Sequence, residues 1–427
     1  MAVTLGEFDE YPSALAARIA SKFRLASPIE ALDFPERGNI NRHTYLILSG
    51  KDKASSEFLL QEINQNVFRR PRKVMAAMLA CIEAQRRNAG SLDPAVAGEW
   101  TTIELIPTRR GSPYLEFEDL RGRTYWRLMK KIADCRTYKS LSELPDRVQR
   151  LHIAEQAGRG LALFSDLTSD MDVARIENPL PGYRDTRLYY RQLHSILAGY
   201  RSAEEASDLL PEDPVLRNST EIHFLRHLPD NEYERRRQLP DIVEAVELAL
   251  ENERYSTTLL DAIESGRIRR VAVHGDTKLE NFLFSLRSGQ VKALIDLDTI
   301  MPQTWLSDWG DMVRSLTNIA GEKEPQPSRI SVDLDVFDAI ARGFLRTSRT
   351  ILEEEVQLMV DAARVLALEL GVRFLTDYLR GDTYFRLSRT DPPDLNRVRA
   401  VGQLTLFRRL HSETEALRRS IERWWRP

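Results

Sequence analysis

An α+β fold in two lobes, a small antiparallel β lobe followed by a larger, mostly helical one, is what the sequence predicts, on three observations. Residues 29–132 are dominated by short β-prone runs between Gly-, Asn- and Ser-containing turns, with one helical interruption. From residue 145 onward the apolar residues recur at helical spacing. Within that helical half the stretch HGDTKLENFLFSLRSGQVKALIDLD, 274–298, returns to strand character around a Ser288-Gly289 turn. The lobes are expected at residues 1–133 and 134–427.

A chain of 427 residues, 42% of them hydrophobic, has ample apolar material for a core in each lobe. Its 61 basic and 64 acidic residues nearly cancel, to a net charge of −3, so neither nucleic acid nor a membrane is expected as a partner. The basic run Arg69, Arg70, Arg72, Lys73 reads as a solvated face. Two cysteines, Cys81 and Cys135, lie far apart without CxxC or Cys/His spacing, which gives neither a disulfide framework nor a zinc site and fits a reducing cytoplasm. The first residues are acidic and amphipathic rather than continuously apolar, unlike a secretory signal. No run approaches the roughly 18 apolar residues of a spanning helix.

In chain order, Leu15, Ile19 and Phe23 at helical spacing predict a surface helix ending near residue 23. Strands follow at 44–48 and 58–60. Before the first lies the turn Arg37-Gly38-Asn39-Ile40-Asn41, whose amides suit a phosphate oxygen or an ordinary hairpin. Pro71, acceptable at a first helical position, opens a helix to residue 88 with Val74, Met75, Met78, Leu79 and Ile82 as its apolar stripe. Strands at 101–106, 113–118 and 125–132 complete a lobe of about five strands and one helix, ending near Ala133-Asp134-Cys135. Asp146 then caps a helix through residue 162. A Pro-, Asp- and Gly-containing connection, 167–183, leads to helices at 186–200 and 240–264, with 202–237 partly loop. After the one hairpin of this lobe, Ser307-Asp308 starts a helix carrying Asp311 and Arg314 at i+3 steps. Helices at 334–345, 352–378 and 395–423 fill the rest.

The hairpin brings Asn281 opposite Asp296 at its open end, with Asp276 a few residues back. Phosphoryl transfer needs magnesium on the phosphates and a carboxylate to orient the acceptor hydroxyl. Asp276, Lys278 and Asn281 have the spacing of a loop in which Asp takes the proton, Lys sits on the phosphate and Asn ligates metal, with Asp296 as the second metal ligand. Singly, each residue has a plainer reading. His274 suits a buried imidazole bonded to backbone, and Lys278 a solvated charge. Asp296 and Asp298 suit a strand-end turn or a glycosidase carboxylate pair. The combination around one hairpin favours phosphoryl transfer.

HGDTKLEN with IDLD resembles the catalytic loop and metal motif of the aminoglycoside phosphotransferase and choline kinase superfamily, and HGDTKLEN is similar to the HRDxKxxN loop of protein kinases. Within the superfamily the likeness is to N-acetylhexosamine 1-kinases. It extends through GNINRHTYLI, FLLQEINQNVFRRP, YWRLMKKIADCRTY, ALIDLDTIMP, DWGDMVR and ELGVRFLTDYLRGDTYF, from Gly38 to Phe385. The resemblance implies a protein kinase-like fold. It implies Asp276 as catalytic base with Lys278 beside it, and magnesium on Asn281 and Asp296. ATP contacts would come from Gly38, Asn39 and Asn41 in the phosphate loop, from Gln61, and from Ala133 and Cys135 in the hinge. Arg373, Asp185 and Tyr384 would meet the substrate. Gln61 stands where protein kinases carry a lysine. Arg373 has a second reading, an ion-pair ladder with Glu369 and Asp377 on one helix face.

The expected function is transfer of the ATP γ-phosphate, with Mg2+, to a hydroxyl of a small sugar or amino sugar, foremost the anomeric hydroxyl of an N-acetylhexosamine. The alternatives are an aminoglycoside or choline-like acceptor, a catalytically silent nucleotide-binding protein of this fold, and a metal-dependent hydrolase.

Overall fold

The computed structural model describes residues 13–35, 40, 41, 43–50, 56–90, 92, 94–119 and 122–426. Gly38 and Asn39 of the expected phosphate loop lie outside the described residues. The chain divides into two compact units, Met1–Glu83 with Thr101–Asp134, and Ala84–Trp100 with Cys135–Pro427.

In the first unit five antiparallel strands, β1 (Ile29–Asp33), β2 (Thr44–Ser49), β3 (Ser56–Glu62), β4 (Leu115–Asp119) and β5 (Gly122–Lys130), form one sheet in the order β1-β2-β3-β5-β4. Strand alternation decides its faces. Tyr45 pairs with Leu60 and Leu60 with Leu128, Ile47 pairs with Phe58, and all five side chains are buried on one face. The Ser13–Ala20 helix buries Ala16, Ile19 and Ala20 in the same core, along with Phe23 and Trp126, so its stripe is a core face rather than a surface one. On the other face Thr44 pairs with Gln61 and Gln61 with Arg127.

The expected strand at 101–106 is not formed. Leu105 makes an isolated bridge to Met129, Lys130 N–H donates to the Glu104 carbonyl at 2.9 Å, and Ile106 N–H donates to that of Leu128 at 2.8 Å. Pro107 has no N–H to carry the ladder on. The fifth strand is β1 instead, whose single buried residue, Ala31, gave little alternation to read.

The second unit is mainly helical. Arg147–Thr168 starts where Asp146 accepts the Gln149 N–H, as expected, and Thr186–Ala198 ends at Gly199 in the left-handed region. Three expected helices are broken: 240–264 into Pro240–Glu251, Glu253–Ser256 and Thr258–Glu264; 352–378 into Glu353–Val356 and Met359–Arg380; 395–423 into Leu395–Ser412 and Thr414–Trp424. At the first and last, polar side chains bond preceding carbonyls, Asn252 to Leu248 at 2.9 Å and Thr414 to His411 at 2.8 Å, which competes with the helical ladder. The unit also holds more β structure than one hairpin. β6 (Cys135–Arg136) joins the hairpin strands β8 (Phe282–Ser285) and β9 (Val291–Leu294), and β7 (Val271–Val273) pairs with β10 (Met301–Gln303). Among the described residues no helix is long and apolar enough to cross a membrane.

Glycines let the long helices touch backbone to backbone. A Cβ on Gly158 would lie 2.2 Å from the Ile340 carbonyl oxygen, and one on Gly343 1.9 Å from that of Glu155, so Arg147–Thr168 and Leu334–Leu345 pack with no room for a methyl group. Interiors at crystal-like density yield little to such an insertion. Gly343→Ala is therefore expected to lower the unfolding free energy by about 2 kcal/mol, read from the denaturation midpoint. An unchanged midpoint would show that the two helices can part without loss.

Candidate active site

The short strand β7 delivers the chain into the loop 274–281, whose backbone polar groups are buried without the help of regular structure and must be satisfied otherwise. The Trp305–Thr317 helix supplies the first two of the partners. It is capped by Thr304, not begun at Ser307-Asp308, and Asp308 stands in its first turn. One Asp308 oxygen accepts the His274 N–H at 2.7 Å and the other the Gly275 N–H at 2.8 Å. Thr277 donates its hydroxyl to the Asp308 carbonyl at 2.6 Å, and Thr299 donates to the His274 carbonyl at 2.7 Å. Burial pushes Asp308 up to about 7, against the two N–H bonds and the charge of Arg184. Gly275 has φ +84°, and a Cβ there would lie 2.8 Å from the Thr299 carbonyl oxygen, so the residue between His274 and Asp276 must be glycine.

His274 is fully buried, and burial holds its pKa below the ordinary value, so the ring is neutral. The Ile295 carbonyl, 2.7 Å from Nε2, can only accept, which assigns the proton to Nε2 and leaves Nδ1 to accept the Asp276 N–H at 3.3 Å. The imidazole thus joins the loop to the end of the hairpin.

Asn281 donates its side-chain amide to both the Asp276 carbonyl at 2.7 Å and the Asp276 Oδ2 at 3.0 Å. Lys278 Nζ lies 3.1 Å from the same Oδ2 and 2.8 Å from Glu280. Burial works against the ammonium, but the carboxylates of Asp276 and Glu280 outweigh it and hold its pKa above the ordinary lysine value. Across the hairpin Asn281 faces Ile295, whose N–H donates to the Asn281 carbonyl at 2.8 Å, and not Asp296 as the turn position had suggested. Asp296 is the next residue, turned out of the ladder into the left-handed region at φ +64°. Asp276, Lys278, Asn281 and Asp296 therefore gather at one end of one hairpin.

Residues far from the hairpin in sequence complete the support. Tyr183 donates its hydroxyl to the Gly275 carbonyl at 3.0 Å, and Arg184 reaches the same oxygen at 3.2 Å. Burial pushes the Tyr183 phenol up to about 12, so it remains a donor. Arg184, at φ +66°, pairs with Asp311 at 3.2 Å and Glu369 at 2.9 Å, and Asp311 pairs with Arg314 at 2.7 Å. A left-handed non-glycine residue costs on the order of 1–3 kcal/mol, which these buried pairs offset. Glu369 is thus engaged by Arg184, and Asp377 accepts from Arg380 at 2.6 Å, so the ladder with Arg373 does not form. Arg373 instead lies over the rings of Tyr183, Tyr189, Tyr384 and Phe385, 4.9 to 5.5 Å from their centroids, and donates to the Tyr384 hydroxyl at 3.2 Å. Asp185, expected at the substrate, caps the Thr186–Ala198 helix by accepting the Leu188 N–H at 3.1 Å.

In the first unit Asn41 accepts the Asn64 N–H at 2.9 Å. Gln61 donates to the Thr44 hydroxyl at 3.2 Å and accepts from the buried Arg127, Nε at 3.0 Å. The cross-strand row of the sheet accounts for this trio, and Arg127 brings a cation to the face where a lysine is missing. Ala133 is the next-to-last residue of the first unit, which ends at Asp134, while Cys135 begins the longer segment of the second in β6, paired with Ser285.

Residues 35–330, more than half of the chain, match the family described as "Phosphotransferase enzyme family". Among solved structures, the fold is similar to that of amicoumacin kinase in complex with AMP-PNP, Ca2+ and Ami, with a TM-score of 0.53 and 13% identity over 92% of this chain and 94% of that one. It is also similar to a microcompartment-associated aminopropanol kinase, with a TM-score of 0.52 and 13% identity over 95% of this chain and 98% of that one. At these identities the likeness is one of fold, and it bears out the kinase-like α+β class expected from the sequence.

The buried charges beneath the loop predict an acid-sensitive element. Although burial opposes its charge, Arg314 and Arg184 hold Asp311 at about 2, below the ordinary 3.8. A carboxylate depressed in the folded state contributes stability above its unfolded pKa and loses it as the pH falls from about 4 toward the folded value. Asp311→Asn, which leaves two buried guanidinium groups short of a partner, is expected to cost roughly 3 kcal/mol at neutral pH and to flatten that acid limb. Denaturant unfolding of both proteins across this range measures it, and parallel pH profiles would refute the assignment.

Proposed function

The chain belongs to the phosphotransferase enzyme family, within the aminoglycoside phosphotransferase and choline kinase superfamily, and on that premise we propose that it transfers the γ-phosphoryl group of ATP, with magnesium, to a hydroxyl of a small sugar. The observation that carries this reading is the division of labour on the Asp276 carboxylate. Its Oδ2 is held by Asn281 and Lys278, while its Oδ1 has no partner among the described residues. One oxygen is fixed and the other is open to an acceptor hydroxyl, which is what a positioned base requires.

The metal has a fitting place. Asn281 spends its amide nitrogen on Asp276 and accepts nothing with its amide oxygen among the described residues, so that oxygen and the Asp296 carboxylate supply hard ligands. No group of three or more His, Cys, Asp or Glu side chains able to hold a metal occurs among the described residues, and magnesium ordinarily takes one or two carboxylates with phosphate and water oxygens. Bound there, it would neutralise charge on the nucleotide phosphates.

The chain's own residues then do three things. Asp276 Oδ1 accepts the acceptor's hydroxyl proton as the oxygen bonds to the γ-phosphorus and the bond to the bridging oxygen of ADP breaks. Lys278, kept cationic, offsets negative charge beside Asp276 and the transferring group. Asp308, Tyr183, Arg184 and His274 fix the loop so that no reorganisation is needed during transfer. On the nucleotide side, the contacts that the resemblance implies for the first unit include Asn41 and Gln61, and Gln61 there holds the buried Arg127. Arg373, held over the rings of Tyr183, Tyr384 and Phe385, belongs to the acceptor side, and an N-acetylhexosamine hydroxyl at the anomeric carbon is the acceptor that the sequence resemblance favours. Cytoplasmic placement belongs to the same reading, since ATP is found there.

Asp276→Asn is expected to lower kcat by about 10²- to 10⁴-fold while nucleotide affinity changes less than about threefold. Labelled phosphate transfer to a panel of sugars, amino alcohols and aminoglycosides, with ATP affinity measured in parallel, tests it. Turnover equal to wild type would remove Asp276 from the chemistry.

A further inference from the structure

Arg373 sits in an arrangement that the transfer chemistry leaves unexplained. The carboxylates one helical turn away on either side are engaged elsewhere, Glu369 by Arg184 at 2.9 Å and Asp377 by Arg380 at 2.6 Å. Among the described residues Arg373 makes no ion pair, and its one hydrogen bond goes to the Tyr384 hydroxyl at 3.2 Å. None of its nitrogens is both buried and unpaired, so the rest of its fork of donors reaches the surface, and Tyr384 beside it is 44% exposed.

The surround is rigid. Tyr183 is pinned to the Gly275 carbonyl, and the Tyr189 hydroxyl accepts the Arg184 N–H at 2.9 Å. The loop carrying Tyr384 and Phe385 is tied down by Asp377, which accepts the N–H groups of Thr383, Tyr384 and Phe385 at 3.1, 2.9 and 2.8 Å. Four rings of this kind would otherwise suit a ligand's ammonium group. Here the protein's own cation occupies them, which disfavours an amino-alcohol or polycationic acceptor. A guanidinium held by aromatic faces loses little further freedom when it binds, and its planar fork matches an oxyanion bidentately. The place is close to the chemistry, because the Tyr183 ring under Arg373 bonds the residue next to Asp276.

We propose that the acceptor carries an anionic oxyacid group, a carboxylate or a phosphate, that docks on Arg373 while its hydroxyl meets Asp276; this rests on the sugar-kinase reading above. The acceptor class is then an acidic sugar.

The test compares transfer from ATP to four acceptors with a free anomeric hydroxyl: an N-acetylhexosamine, the parent hexose, its hexuronic acid and its 6-phosphate. Wild type, Arg373→Gln and Arg373→Lys are each measured. In wild type, kcat/KM for one of the acids should exceed that for both neutral sugars by about tenfold or more. Arg373→Gln should bring that ratio toward one, chiefly through KM, and Arg373→Lys should restore part of it. Whichever acid leads identifies the carboxylate or the phosphate as the docking group. Neutral sugars accepted as well as the acids, or a ratio unmoved by Arg373→Gln, would overturn the inference and leave the sugar-kinase reading standing. If none of the four takes phosphate while ATP still binds, both fall. Melting temperature and nucleotide affinity on the same preparations separate lost docking from lost fold. Should Arg373→Gln not fold, the wild-type ratio and the lysine variant decide.

Discussion

Two neighbouring backbone N–H groups, on His274 and Gly275, end on the two oxygens of one buried carboxylate, Asp308. The site depends on that pair of bonds. The backbone of His274 and Gly275 belongs to neither a helix nor a ladder, yet it is too buried to leave unsatisfied. Asp308 meets the demand from outside the loop, and its own cost is visible in a carboxyl pushed up to about 7 by burial. Everything around it follows the same logic. Gly275 is glycine because of the turn that the two bonds impose, Tyr183 and Arg184 complete its carbonyl, and His274 stays neutral and passes the tie on to the hairpin at Ile295. Asp276 is held by a frame whose backbone groups are bonded from several sides, and among the described residues its Oδ1 is left open.

Much of the candidate site's geometry was legible in the sequence because it is local. Asp276, Lys278 and Asn281 are within five residues of one another, and the Ser288-Gly289 turn fixes the hairpin that brings Asp296 beside them. The one-residue offset, with Asn281 facing Ile295, was not legible, since the pairing closes around Arg287-Ser288, with Phe284 opposite Val291, and a register shift between Leu283 and Phe284 returns the open end to within one residue of the expected pairing. Gln61 was visible as a missing lysine, but Arg127 becomes its partner only through the pairing of β3 with β5. The frame itself was hidden for a stronger reason. Asp308, Arg184 and Tyr183 meet the loop from far along the chain, and nothing in their own neighbourhoods announces the bond. In the fold, the helices broken at Asn252, Thr257 and Glu413 were invisible to periodicity, because a single residue there changes direction without changing the apolar pattern.

Arg373 shows how a local rule fails when better partners exist. The spacing of Glu369, Arg373 and Asp377 is that of an ion-pair ladder worth a few tenths of a kcal/mol on an exposed helix. In the folded chain Glu369 is offered a buried guanidinium and Asp377 three backbone donors and Arg380, and charge-assisted bonds away from water outweigh exposed pairing. The arginine left over is held by aromatic rings, which compensate its charge while using one of its donors, on the Tyr384 hydroxyl.

The measurement that bears most directly on the account is the fate of the γ-phosphoryl group. With γ-labelled ATP, magnesium and a panel of neutral and acidic sugars, the account predicts label on a sugar hydroxyl and ADP formation that rises with the concentration of that sugar. ADP formed at the same rate without any acceptor, with all the label in inorganic phosphate, would contradict it.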